Sequence, residues 1–146
     1  MPALARSSSG RAAQRGVSLI EVLVAVVVLS LGVLAMAGLQ LNSLRTSQGA
    51  LYRSNAAMLA SDIADRIRAN RNNLATYAIA LTDATPTGTT LRDRDIADWR
   101  ARLRALPAGQ GAIAVNASNV TVTVRWDDSR ATGSAANGEY VLTVRL

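Results

Sequence analysis

At 146 residues the chain has room for one small domain and an extended element, and its composition is short of chemical tools: there is no Cys, no His and no Phe, and all 16 basic residues are Arg. That inventory excludes a conventional zinc site, a thiol nucleophile, a Ser-His-Asp triad and a lysine Schiff base, so no catalytic, cofactor-binding or metal-binding residue is assigned and no cofactor is expected. The net charge of +6 splits into +3 from Arg6, Arg11 and Arg15 and +3 from 13 Arg against 10 acids in the rest, which makes the basic total a weak argument for nucleic acid.

The chain opens on a polar stretch, Met1 to Arg15, rich in Ser, Gly, Ala and Arg and lacking apolar periodicity. Gly16-Val17-Ser18-Leu19-Ile20-Glu21 follows, and from Val22 to Leu44 there is no charge. That run is long enough to cross a hydrocarbon core of about 30 Å at ~1.5 Å per residue. The basic flank in front of it predicts a cytoplasmic N-terminus, with everything after Arg45 sent outward. Three readings are open here. One is a secretory signal cut at Ala35-Met36-Ala37; the second is a plain single-pass anchor; the third is a signal cut in front of the apolar run, which is then retained.

Glu21 favours the third. A carboxylate in an apolar helix costs up to roughly 2.5–3.5 kcal/mol at the bilayer centre and less near the interface. A signal peptide or an anchor has no use for it. A chain cut after Gly16 does, because Val17 then bears a cationic amine one helical turn from Glu21. In an apolar filament interior, Glu21 of one subunit can neutralise the amine of its neighbour. No other Glu precedes Glu139, so the placement is not a by-product of a Glu-rich composition.

The basic leader, Gly16, the five-residue spacing to Glu21 and the aliphatic run resemble the type IV prepilin cleavage and methylation motif. The resemblance implies cleavage between Gly16 and Val17 by prepilin peptidase, N-methylation of Val17 and inter-subunit charge pairing by Glu21. Most members have Phe where this chain has Val17.

From Leu39 no proline interrupts a helical pattern until Pro86. Tyr52, Ala56, Leu59, Ile63 and Ile67 fall on one helix face, predicting an amphipathic helix packed on its own domain. Asp62 and Arg66 have the spacing of a favourable i,i+4 pair. A helix from about Ser18 to about Asn72 would be roughly 80 Å long at ~1.5 Å per residue. Gly32, Gly38 and Gly49 are its weak points, each costing about 1 kcal/mol against Ala. The string Ala64, Asp65, Arg66, Ile67, Arg68, Ala69, Asn70, Arg71, with Leu59 to Ile63 before it, resembles the end of the long helix in the minor pilin family named PilV, the type IV pilus modification proteins. Asn70, Asn72 and Asn73 suit a helix terminus, and the Arg cluster suits the negative end of its dipole.

Thr82 to Thr90 reads as a loop, and Asp95 to Leu106 as a short helix with Ile96, Trp99, Leu103 and Leu106 on one face and Asp93 or Asp95 as its cap. Asp98 and Arg102 have i,i+4 spacing. Ala112–Val115 and Val120–Trp126 read as strands, Asp127 to Gly138 as a polar loop and Tyr140–Leu146 as a closing strand. Val120, Val122, Val124 and Trp126, with Tyr140, Leu142, Val144 and Leu146, form the inward faces of an antiparallel hairpin on the long helix. The Trp-bearing helix, the Leu106 to Gly109 turn and the second strand also resemble PilV-type proteins. The acids Asp93, Asp95, Asp98, Asp127 and Asp128 lack the glycine turn and glutamate of an EF-hand and read as caps and solvated charge.

The expected fold is α+β and pilin-like: a long N-terminal α-helix with an apolar first half, packed on a small antiparallel sheet. The expected division is a leader over 1–16 that is removed, an apolar transmembrane and filament-core helix over 17–44, its amphipathic continuation over 45–75 and a small C-terminal domain over 76–146. The PilV resemblance implies a non-enzymatic minor pilin, inserted in the bacterial inner membrane with its C-terminal domain periplasmic and then carried to the pilus at the cell surface. Its implied partners are prepilin peptidase, other major and minor pilins, the inner-membrane assembly platform and a tip adhesin. Its implied roles are pilus assembly and priming, twitching motility and adhesion. A minor pseudopilin of type II secretion and a secreted small binding domain are the alternatives; the Ala64–Arg71 string argues against the first and Glu21 against the second.

Overall fold

The computed structural model of the chain describes residues 18–132 and 137–146. The expected leader, the Gly16–Val17 junction and the methylation position lie outside the described residues. The elements are α1 (Leu19–Ala69), a 3-10 segment (Arg71–Tyr77), α2 (Leu91–Leu103), β1 (Gln110–Asn116), β2 (Asn119–Asp127), α3 (Ser129–Thr132) and β3 (Asn137–Arg145). The fold is α+β, a long helix packed on a three-stranded antiparallel sheet. Backbone contacts divide the chain after Gln40, with Leu41–Leu146 as one compact unit.

In the first unit every described side chain from Ser18 to Gln40 is exposed. The helix nonetheless leaves little polar surface there. Its backbone bonds are internal, and the Ser30 hydroxyl donates to the Val26 carbonyl at 2.7 Å, so a polar side chain within the apolar run is satisfied by its own helix. Gly32 and Gly38 do not interrupt it.

The second unit holds the core. Along α1, Ala56, Ala60, Ile63, Ala64 and Ile67 are buried, with Tyr52 and Leu59 packed beside them half-buried. Across from them β2 alternates as its sequence predicts: Val120, Val122, Val124 and Trp126 point inward between the facing rows of β1 and β3. Val120, Val122 and Val124 pair with Val144, Leu142 and Tyr140, so the hairpin register brings apolar side chains together on one face. The sheet order is β1-β2-β3, and Ile79 bridges to Ile113 on the outer side of β1.

Several boundaries differ from the sequence expectation, among them the end of α2 at Leu103 rather than Leu106, and three have a local reason. First, α2 starts at Leu91 rather than Asp95, because Thr90 caps it: the Thr90 hydroxyl accepts from the Asp93 N–H at 3.1 Å and donates to the Asp93 carboxylate at 2.6 Å. Second, α1 stops at Ala69, where the Asn70 N–H is shared between the Arg66 and Ile67 carbonyls and the chain tightens into the 3-10 segment. Third, the polar loop after Trp126 is shorter than expected. The β2–β3 ladder extends to Asp127 opposite Asn137, and the connection carries α3, begun by the Asp127 carboxylate accepting from the Ser129 N–H at 2.9 Å.

Two of the glycines that close approach requires lie against the tryptophans. At Gly111 a Cβ would overlap the Trp99 ring and Leu103, so its absence lets α2 lie on β1. At Gly138 a Cβ would overlap the indole of Trp126 on the neighbouring strand. Replacing Gly138 by Ala is expected to lower stability by roughly 1–3 kcal/mol, the usual cost of overpacking. Thermal unfolding of the full chain in detergent measures it; an unchanged midpoint would show that Trp126 has room to move.

Candidate functional site

Two groups of residues carry the features picked out in the sequence, and each belongs to a different compact unit. The first surrounds Glu21, in the opening turn of α1, where the Ser18 carbonyl accepts from the N–H groups of Glu21 and Val22. A carboxylate in the first turn complements the positive end of the helix dipole. Glu21 is exposed, and the side chains that follow it are exposed and apolar: Val22, Leu23, Val24, Val26, Val27, Val28 and Leu29 among them. This surface is long and apolar enough to cross a membrane, and none of it is buried. Water cannot be its working environment, because exposed apolar area costs about 25 cal/mol per Å². Gly16 and Val17 immediately precede Ser18 and lie outside the described residues.

The second group is a polar cluster at the end of α1, and it gives the Ala64–Arg71 string a physical role. Arg66 reaches from α1 to three carboxylates: its Nε lies 3.2 Å from Asp62 Oδ2, and its Nη1 lies 3.3 Å from Asp95 Oδ1 and 3.5 Å from Asp98 Oδ2. Asp95 is the buried acid of the group, and its other oxygen accepts from the Tyr77 hydroxyl at 2.8 Å. The Tyr77 oxygen in turn accepts from the Asn70 side-chain amide at 2.9 Å. Asn70 accepts from the Asn73 amide at 2.9 Å. The end of α1, the 3-10 segment and α2 are thereby joined through one carboxylate.

The remaining members of the string divide cleanly. Ala64 is buried, and Arg66 and Asn70 are bonded in the cluster. Asp65 and Arg68 are exposed and pair with each other, and Arg71 is exposed. Of the two i,i+4 pairs expected, Asp62–Arg66 forms. Asp98 and Arg102 instead turn across to α1, Asp98 to Arg66 and Arg102 to Asp62 at 3.2 Å. Packing α2 on α1 brings opposite charges from two helices closer than the spacing within one helix does. Trp99 adds a further tie, its indole N–H donating to the Leu59 carbonyl at 3.0 Å.

Sequence reasoning missed Asp95 and Tyr77 as partners. Asp95 was read as a cap or a solvated acid; the earlier start of α2 moves it into the helix interior, next to Ile96 on the buried face. The cap is Thr90 rather than either acid; Asp93, in the first turn, bonds back to it, and the bonds from Thr90 and Arg92 hold the Asp93 carboxyl below the usual range. Burial works against the charge of Arg66, but the carboxylates of Asp62, Asp95 and Asp98 more than offset it and hold the guanidinium above its ordinary value.

Burial raises the Tyr77 hydroxyl above its ordinary value of about 10. The Asn70 amide opposes this and the Asp95 carboxylate adds to it. Because the folded value is the higher one, this contribution to stability is complete below about pH 10 and is lost as pH rises through the folded value. A Tyr77→Phe variant is expected to lack that alkaline loss, while Asp95→Ala is expected to cost roughly 1.5–3 kcal/mol near neutral pH, the usual value of hydrogen bonds to a charged group. Chemical denaturation of the full chain between pH 7 and 11 checks both; parallel pH profiles for Tyr77→Phe and the parent would remove Tyr77 as the titrating group.

Comparison with known proteins gives two family matches, over residues 11–37 and 38–96. A family model described as type IV pilin Tt1218, of the Tt1218-like group, matches residues 38–96. One described as the prokaryotic N-terminal methylation motif matches residues 11–37. The second match contains Gly16, Val17 and Glu21; the first contains Asp62, Arg66, Asn70, Tyr77 and Asp95. Searches of curated proteins and of solved structures returned no match.

Proposed function

The chain is a type IV pilin-like protein, a structural subunit rather than an enzyme, and on that footing we propose that it is a minor pilin of PilV type. The family implies processing by prepilin peptidase and assembly with other pilins. In the proposed course, the precursor sits in the inner membrane as a single-pass protein with its N-terminus cytoplasmic and its C-terminal domain periplasmic. Prepilin peptidase cuts between Gly16 and Val17 and the new amine is methylated. The assembly platform then draws the apolar helix out of the bilayer into the filament, where the subunit takes part in priming and assembly, twitching motility and adhesion. The divisions that serve this course are a removed leader over 1–16, a core helix over 17–44, its continuation over 45–75 and the presented domain over 76–146.

The observation that carries the reading is Glu21 at the head of an uncharged helix face left exposed among the described residues. Lipid or other helices must cover that face, and a carboxylate within it calls for a cation of the same depth. The amine of Val17 in a neighbouring subunit is such a cation. The PilV-type reading draws its support from the Ala64–Arg71 string, whose Arg66 and Asn70 hold the domain to α1.

The N-terminus and intact mass of the protein, from cells with and without prepilin peptidase, test the reading first. The expected product starts at N-methylated Val17 and appears only with the peptidase; a start at Gly38, or an uncut chain in both strains, would overturn it. A Glu21→Ala variant is expected to be cut normally but to enter filaments roughly ten- to a hundredfold less, the equivalent of losing a charge-assisted contact of about 1.5–3 kcal/mol. Normal recovery of the variant in sheared filaments would remove the charge pair from the account.

A further inference from the structure

The two edges of the sheet are not alike. On β1 the backbone of Ile79 exchanges both of its bonds with Ile113, at 2.9 Å each, and Trp99 and Leu103 of α2 lie against Gly111. On β3 the strand partner is β2 alone among the described residues. The Leu146 N–H donates to the Ser118 carbonyl at 2.8 Å, which fixes the phase of that ladder. Back along the register, Val144, Leu142 and Tyr140 turn their N–H and C=O groups to Val120, Val122 and Val124. Arg145, Thr143, Val141 and Glu139 turn theirs outward, and among the described residues nothing bonds to those backbone groups. Edge strands are ordinarily blunted by shortness, bulges, proline or inward charge. β3 has none of these: it runs nine residues in unbroken register, without proline, and its inward row is Tyr140, Leu142 and Val144. That row is only half-buried, whereas Val120, Val122 and Val124 beside it are fully buried, so the core too is open on this side. Two charges stand along the edge. Glu139 is taken by Arg125 across the ladder, while Arg145 stands opposite Asn119 with no ion pair among the described residues.

We propose that the outer edge of β3 takes up an extended segment of a different protein as a fourth strand, added antiparallel, with an acidic residue of that segment facing Arg145. Backbone groups that repeat every second residue are matched by an extended chain and not by a helix, whose own groups are bonded internally. Alternate apolar residues of the segment complete the row of Tyr140, Leu142 and Val144 on the core face. A second copy of this chain does not fit. Two β3 strands paired antiparallel are related by a two-fold axis normal to the sheet, which reverses the part of α1 that packs on that sheet. Subunits of one membrane or one filament run the same way, so this exclusion rests on the pilin reading above. A parallel copy in register sets Arg145 against Arg145 and Glu139 against Glu139.

The outward amides report the edge directly. Amide hydrogen exchange of the full-length, isotope-labelled protein in detergent micelles would be followed by NMR with and without a synthetic peptide. The peptide alternates Val and Thr over the length of β3 and carries Glu where antiparallel pairing brings it to Arg145; a second peptide carries Lys there. With the Glu peptide at about 1 mM, exchange at Glu139, Val141, Thr143 and Arg145 is expected to slow at least about tenfold, while Tyr140, Leu142 and Val144 stay slow throughout. The Lys peptide is expected to bind roughly three- to tenfold more weakly to the parent and to recover on Arg145→Glu. Val141→Pro removes an N–H that the β2 ladder does not use, so the slow amides persist and the peptide no longer adds. Outward amides unmoved by the Glu peptide would overturn the proposal, as would an equal response in Val141→Pro. Outward amides already slow without peptide would overturn it too, the edge then being covered, and protection that rises with protein concentration would make the occupant a second copy. The measurement does not depend on peptidase processing, so its failure and the failure of the pilin reading are told apart.

Discussion

Most of what this chain does follows from a segment that cannot be left in water. From Val22 to Leu44 there is no charge, and in the folded chain these side chains remain exposed. The helix solves only the backbone problem: its N–H and C=O groups are bonded within the segment, as any structure in hydrocarbon requires. Its side chains still need an apolar environment from elsewhere. A bilayer and a bundle of like helices both provide one, which is why one sequence can serve a membrane-bound precursor and an assembled subunit. In the proposed function Glu21 is what separates this helix from an ordinary anchor, because a carboxylate at that depth has a use where a cation meets it.

The rest of the structure keeps a small domain attached to that helix. The core is built from Leu, Ile, Val, Ala, Tyr77 and two Trp, with no Phe and no disulfide to help. A domain of this size is marginal on hydrophobic burial alone. The polar cluster around Asp95 supplies geometric definition where packing is thin. Arg66 from α1 and Tyr77 from the 3-10 segment converge on Asp95 of α2, one largely buried carboxylate. Such a cluster specifies how three elements meet more strongly than it adds net stability, since desolvating the charges offsets much of their attraction.

The glycines and small residues show the same economy of space. The alanines at positions 56, 60 and 64 lie on the buried face of α1, and Gly111 and Gly138 make room for the two tryptophans. Gly49 has a comparable part: a Cβ there would stand 3.1 Å from the Ala131 Cβ, so the β2–β3 connection lies close against α1 at that point. What reads in the sequence as a weakness of the helix is, at this position, a site of close packing.

The sequence by itself determined the long helix, the alternation of β2 and β3, the inward valines and the place of Glu21 at the head of an uncharged run. These depend on periods of 3.6 and 2 and on one charge in an uncharged run, all of them local in the chain. Arg66 and Asn70 could be singled out as residues, but not given partners. Only the tertiary structure decided that Arg66 binds Asp95, that Arg102 crosses to Asp62 and that Asp95 lies inside α2 rather than at its cap. Those contacts join residues 29 and 40 positions apart. They depend on a shift of a few residues in where α2 begins, set by the Thr90 cap. A residue's partners along a helix are a property of its spacing; its partners across helices are a property of how the helices pack.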